Sequence, residues 1–153
     1  MIQRIQTIYL LLTSVFFSSY WYFGKQWYEK GYIFILDSFG SIKYLRELLV
    51  SISYFPLFIT LTCIVCIFFF KKRKLQIFIS KIALFFCIFM SIFTVFYFYN
   101  CLDYLLKIMP SIMYEFLMYA AIFNPFLCTT FVYLAIKSIK NDENLVSSFD
   151  RIR

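Results

Sequence analysis

Four long uncharged runs constrain this chain more than any other feature: 5–23, 48–70, 82–102 and 116–136. All 23 Asp, Glu, Lys and Arg residues lie outside them. A helix of about 20 apolar residues covers the roughly 30 Å of hydrocarbon in a bilayer. Lipid offers no partner to backbone N–H and C=O groups, so each run is expected to cross as a helix. A small barrel would show alternating segments of about 10 residues, whereas these runs are continuous. Composition agrees, with 63% hydrophobic and 15% charged residues, where soluble domains have about half and about a quarter. A water-soluble fold of 153 residues has too little interior for that much apolar surface.

Lys and Arg set the expected orientation, because they accumulate on the cytoplasmic side. The start, the segment between the second and third runs, and the tail hold ten of them: Arg4, Lys71, Lys72, Arg73, Lys74, Lys81, Lys137, Lys140, Arg151 and Arg153. The opposite side holds Lys25, Lys30, Lys43, Arg46 and Lys107, balanced by Glu29, Asp37, Glu47, Asp103 and Glu115. The net charge of +7 therefore falls on the expected inner face, which suits an anionic inner leaflet. Nucleic acid is not the expected partner, since the run 71–74 is held at a membrane surface between two spans. No small-x-small pair for signal cleavage stands in Ser18-Ser19-Tyr20-Trp21-Tyr22, so the first run is expected to stay as an uncleaved helix. Tyr20, Trp21, Tyr22, Trp27, Tyr28, Tyr97, Tyr99 and Tyr104 mark the outer ends, where aromatic rings belong at headgroup depth.

In lipid, helices associate through small and weakly polar residues. Each run carries a stripe of them at spacings of three and four, which places the stripe on one helix face. The stripes are Thr7, Ser14 and Ser18; Ser53, Pro56, Thr60 and Cys63; Ala83, Cys87, Ser91, Thr94 and Cys101; and Ala121, Asn124, Cys128 and Ala135. Pro56 and Pro125 each remove a backbone N–H and are expected to kink their helices. The Asn124 side chain is available to bond freed carbonyls or a neighbouring helix. The outer loop 24–47 contains Asp37-Ser38-Phe39-Gly40 between short apolar stretches, which fits a type I turn in a small hairpin. An interfacial helix continuing the second run outward is the alternative.

The chain has no His, which excludes imidazole catalysis and His-ligated metal or haem. The three Gly residues, at 24, 31 and 40, form no phosphate loop. Cys63-Ile64-Val65-Cys66 has the spacing of an attacking and a resolving thiol. On the expected topology the pair lies in the cytoplasmic third of a span, in apolar surroundings that blunt a thiol. Packing is the preferred role, and a membrane thiol oxidoreductase through Cys63 and Cys66 is kept as a third reading. Intramembrane carboxylates or lysines mark most proton and cation pathways. The four runs have none, which leaves a small-molecule or lipid transporter as the second reading. No catalytic residue, metal site or cofactor is expected.

The tail 137–153 reads as a short amphipathic helix. Asn141-Asp142-Glu143 supplies a cap and an acidic first turn, and Arg151 and Arg153 suit the last turn. Leu145, Val146, Phe149 and Ile152 share its apolar face. The opening Met1-Ile2-Gln3-Arg4-Ile5-Gln6-Thr7 belongs to the same side.

These two ends resemble the Bacteroidota inner-membrane proteins of domain-of-unknown-function family 4293. Members open with Met-Ile-Gln-Arg-Ile-Gln-Thr, as Met1 to Thr7 do here. They close on a pattern matched by Ala135-Ile136-Lys137, Asp142-Glu143, Leu145-Val146 and Asp150-Arg151-Ile152-Arg153. The resemblance implies a four-span membrane protein and no established activity. The expected architecture is an all-α membrane protein, an antiparallel four-helix transmembrane bundle over 1–136 with a short amphipathic cytoplasmic C-terminal helix over 137–153. It is expected to be multi-pass in a bacterial inner membrane, with both termini cytoplasmic. The leading function is a structural or accessory subunit that binds a membrane-protein or cytoplasmic partner. The candidate surface is Gln3, Arg4, Gln6, Asp142, Glu143, Asp150, Arg151 and Arg153, with Arg4 and Arg151 complementing Asp142, Glu143 and Asp150.

Overall fold

A computed structural model of the chain describes residues 3–38 and 43–152, with side chains described for 5–25, 27–38, 44, 46–70 and 72–145. The described residues are helical almost throughout and contain no strand. The elements are α1 (Gln3–Ser38), α2 (Lys43–Ser53), α3 (Phe55–Phe68), α4 (Arg73–Ile108) and α5 (Ile112–Ile152), with a 3-10 turn at Phe69–Lys71.

Helices and apolar runs do not share boundaries. α1 and α4 have 36 residues each and α5 has 41. At 1.5 Å per residue these are roughly 54 to 62 Å long, well beyond a hydrocarbon core of about 30 Å. Loop 24–47 therefore holds no hairpin in its described part. α1 continues through it to Ser38, and α2 follows from Lys43. Phe39 and Gly40 of the expected turn lie outside the described residues. The physical reason is local: from Lys25 to Leu36 the one helix-disfavouring residue is Gly31, which packing compensates. The segment between the second and third runs is likewise mostly helix, because α4 starts at Arg73. Met109, Pro110 and Ser111 alone separate α4 from α5.

The tail is not a separate helix. α5 runs through it without interruption, so Asn141 caps nothing. Nothing from Lys137 to Lys140 breaks a helix, and the acidic pair sits in mid-helix instead of at a start.

The two prolines act differently. Pro56 stands in the first turn of α3, where its missing N–H costs nothing. The chain breaks at Tyr54, whose carbonyl oxygen accepts from Leu57 N at 3.1 Å and Phe58 N at 3.2 Å. Pro125 lies inside α5 without ending it. The carbonyl of Pro125 accepts from Thr129 Oγ1 at 2.7 Å, and Asn124 Nδ2 donates to Phe16 O of α1 at 3.0 Å.

α1 and α4 each pack against α3 and α5 and against one another. The expected small-residue stripes mostly face this interior: Ser14, Pro56, Cys63, Ala83, Cys87, Ser91, Thr94, Cys101, Ala121, Cys128 and Ala135 are buried. Ser18 is not. It is exposed and donates to Val15 O of its own helix at 2.9 Å. Phe17 and Tyr20 fill the interior in its place.

The aromatic belt divides in two. Tyr22 and Tyr99 are exposed, Tyr99 at 88%. Tyr20, Trp27, Tyr28 and Tyr97 are buried. Tyr20 Oη is hydrogen-bonded to Tyr28 Oη and lies 3.0 Å from Thr94 Oγ1. Tyr97 Oη donates to Trp27 O at 3.0 Å. Burial pushes the Tyr28 and Tyr32 phenols up, so both hold their protons. Gly31 permits the close approach of the two helices, since a Cβ there would overlap the Tyr97 hydroxyl.

Candidate functional site

The beginning of α1, the α3–α4 turn and the C-terminal part of α5 meet at one end of the molecule and line an open cavity of about 490 Å³. Leu11, Leu12, Ile67 and Ile139 are among its apolar walls, and Gln6, Arg73, Gln76 and Asp142 supply its polar groups. The volume falls in the range of small-ligand sites, about 300–1,000 Å³.

Asp142 is the junction of this end. It is 7% exposed. Its Oδ2 accepts a hydrogen bond from Gln6 Nε2 of α1. Its carbonyl oxygen accepts from Arg73 Nη1, at the start of α4, at 2.8 Å. One residue of α5 thereby holds two segments far from it in sequence. A carboxylate taken out of water needs such donors, because an unsatisfied buried polar group costs about 1–3 kcal/mol. Among the described residues, the Arg73 guanidinium bonds this carbonyl and not the carboxylate.

Gln76 is one turn into α4, 5% exposed, and lines the same cavity. Its backbone is engaged: the N–H donates to Lys72 O at 3.0 Å, and the carbonyl accepts from Cys66 Sγ at 3.5 Å. The N-terminus of α4, beginning at Arg73, receives no side-chain cap from Lys72.

The expected surface residues have different fates. Gln6 and Asp142 come together as buried, bonded partners and not as an exposed patch. Glu143 is half-buried beside Asp142 on α5. Gln3 and Arg4 lie in α1, and Asp150 and Arg151 in α5. Their side chains, and Arg153 altogether, fall outside the described residues, as does the expected pairing of Arg4 and Arg151 with the acids. Arg73 and Gln76 are the residues that sequence reasoning missed. Arg73 counts there only as one charge in a basic run, and Gln76 carries no motif. A polar Gln one turn after the run, on the face continued by Ser80 and Ala83, is the available signal.

Cys63 and Cys66 lie three residues apart on α3 and are both fully buried. Both are free thiols, and Cys66 Sγ lies 2.9 Å from Ser80 Oγ of α4. Among the described residues no cluster of three or more Cys, Asp or Glu is arranged to hold a metal ion. A second cavity of about 370 Å³ lies between α1 and α5, beside Trp27 and Asn124.

Among the described residues, three segments are long and apolar enough to cross a membrane: Arg46–Phe68, Arg73–Ile108 and Ile112–Leu145. The run 5–23 is not among them, diluted as it is by Gln6, Thr7, Thr13, Ser14, Ser18 and Ser19. The fold and its apolar exterior thus define an all-helical protein of membrane type. The chain belongs to the family described as Domain of unknown function (DUF4293), whose model matches residues 2–152. No curated protein and no solved structure matches it.

Proposed function

We propose that this chain is an antiparallel four-helix transmembrane bundle in a bacterial inner membrane, with both ends cytoplasmic, serving as a structural or accessory subunit. In this reading α1 carries the span 5–23, the end of α2 with α3 and the 3-10 turn carries 48–70, and α4 and α5 carry 82–102 and 116–136. Contact register supports the arrangement. Gln6 meets Asp142, Tyr9 stacks near Phe131 at 6.2 Å between ring centroids, and Phe16 O meets Asn124. Along α3 and α4, Phe55 lies 5.4 Å from Phe89 between ring centroids, while Cys66 meets Ser80. Both pairs of helices therefore run in opposite directions.

The observation that carries the functional reading is the junction at Asp142. It fastens the start of the chain, the α3–α4 turn and the end of α5 into one composite face. Exposed Lys72, Lys74, Lys137 and Lys140 surround it. A partner protein would bind that joined face, since Asp142 lies in the cavity wall and not on the outer surface.

The test is affinity purification in mild detergent, with bound proteins identified by mass spectrometry. The native chain is compared with a Lys137→Gln, Lys140→Gln, Asn141→Ala variant, which leaves Asp142 and the basic turn in place. A protein retained by the native chain and lost from the variant supports the subunit reading and identifies the assembly. A solitary protein in both contradicts it.

The cavities favour a second reading, a small-molecule or lipid transporter. Substrate-dependent flux in liposomes carrying the purified chain would support that reading over the first.

A further inference from the structure

We propose that the cavity beside Asp142 is a phospholipid headgroup site selective for a zwitterionic phosphoethanolamine head. The proposal rests on the membrane reading but not on any protein partner.

The cavity is lined by one positive and one negative side chain: Arg73 donates to the Asp142 carbonyl, and Gln6 donates to the Asp142 carboxylate. A carboxylate has a second oxygen beyond the one that Gln6 reaches, and a guanidinium has further N–H groups beyond Nη1. A ligand carrying both charges satisfies this pair better than an anion or a cation alone. Guanidinium binds phosphate oxygens in a charge-assisted fork. A primary ammonium gives three donors to a carboxylate. Two further features ask for an acceptor in the same place. Gln76, 5% exposed, lines the cavity wall, and the start of α4, which receives no side-chain cap from Lys72, favours an anion. Leu11, Leu12 and Ile67 then continue the cavity as an apolar wall. Acyl chains attached to the head are thereby kept out of water. The depth also fits. Gln6, Arg73 and Asp142 flank the ends of the uncharged runs, where headgroups begin.

The test is native mass spectrometry of the full chain, purified in detergent and offered equal amounts of phosphatidylethanolamine, phosphatidylglycerol and phosphatidylcholine. Phosphatidylethanolamine is expected to dominate the bound lipid. Gln76→Leu, similar in size to the native residue, should lower that retention about fivefold, the worth of one hydrogen bond, with the unfolding temperature kept. Leu12→Trp, which fills the cavity, should lower it further. Equal retention of the three lipids, or unchanged retention in Gln76→Leu, overturns the proposal. Competition by millimolar free phosphoethanolamine also overturns it as a lipid site, assigning the cavity to a soluble zwitterion. Carbonate washing of the native membranes reports separately on the membrane reading: a chain that stays supports it, and a chain that washes out removes both.

Discussion

Gln6 and Asp142 show how much a single polar pair controls in an apolar chain. Gln6→Leu leaves the Asp142 carboxylate buried without its donor. The expected result is a loss of about 1–3 kcal/mol, read as a lower thermal unfolding temperature in detergent. Asp142→Leu should be similarly destabilising alone, and the double variant should recover part of the loss, because two apolar partners leave no unsatisfied group. Gly31 is the second sensitive position. Gly31→Ala places a methyl group against the Tyr97 hydroxyl, so α1 and α4 must separate. Overpacking of this kind costs about 1–3 kcal/mol. Gly31→Ala combined with Tyr97→Phe should be less harmful than Gly31→Ala alone, which unfolding temperatures of the set will show.

At the scale of elements, the uncharged runs locate where apolar surface is needed, not where helices stop. Charges at Lys25, Lys81 and Lys137 bound an uncharged run but are ordinary helix residues, so α1, α4 and α5 pass through them. This is why the hairpin in 24–47 and the separate tail helix fail, while the helical class and the outward helical extension of the second run were legible. The small-residue stripes were legible for the same reason that α4 packs: Ala83, Cys87, Ser91, Thr94 and Cys101 follow helical spacing. Ser18 was misread because a small residue on a helix can also bond its own backbone and face outward. The buried Tyr cluster was illegible, since an aromatic at a helix end reads the same whether it anchors at a headgroup or donates to a neighbouring helix. Single cysteines carrying nitroxide labels along α4 test the assignment of faces. Labels at Ile92 and Val95 should collide freely with oxygen dissolved in lipid, as their exposed positions require. Labels at Ser91 and Thr94 should be shielded, and the reverse pattern would mean that the stripe faces lipid.

At the scale of the whole molecule, the candidate site was half legible. The end motifs place Gln6 and Asp142 on one side, and the structure joins them. Arg73 and Gln76 complete the cavity only because α4 begins immediately after a tight turn, a long-range consequence that no local pattern contains. The central claim is that the two ends and the α3–α4 turn share one side of a membrane. Its most direct test is labelling of single cysteines by an impermeant maleimide in spheroplasts before and after lysis. The five native thiols are buried and serve as an unlabelled background. Cysteines at Lys72 and Lys140 should react only after lysis, and those at Tyr44 and Met113 before it. If Lys72 and Lys140 react on different sides, or Tyr44 reacts together with Lys72, the four-span arrangement and the composite face are both wrong.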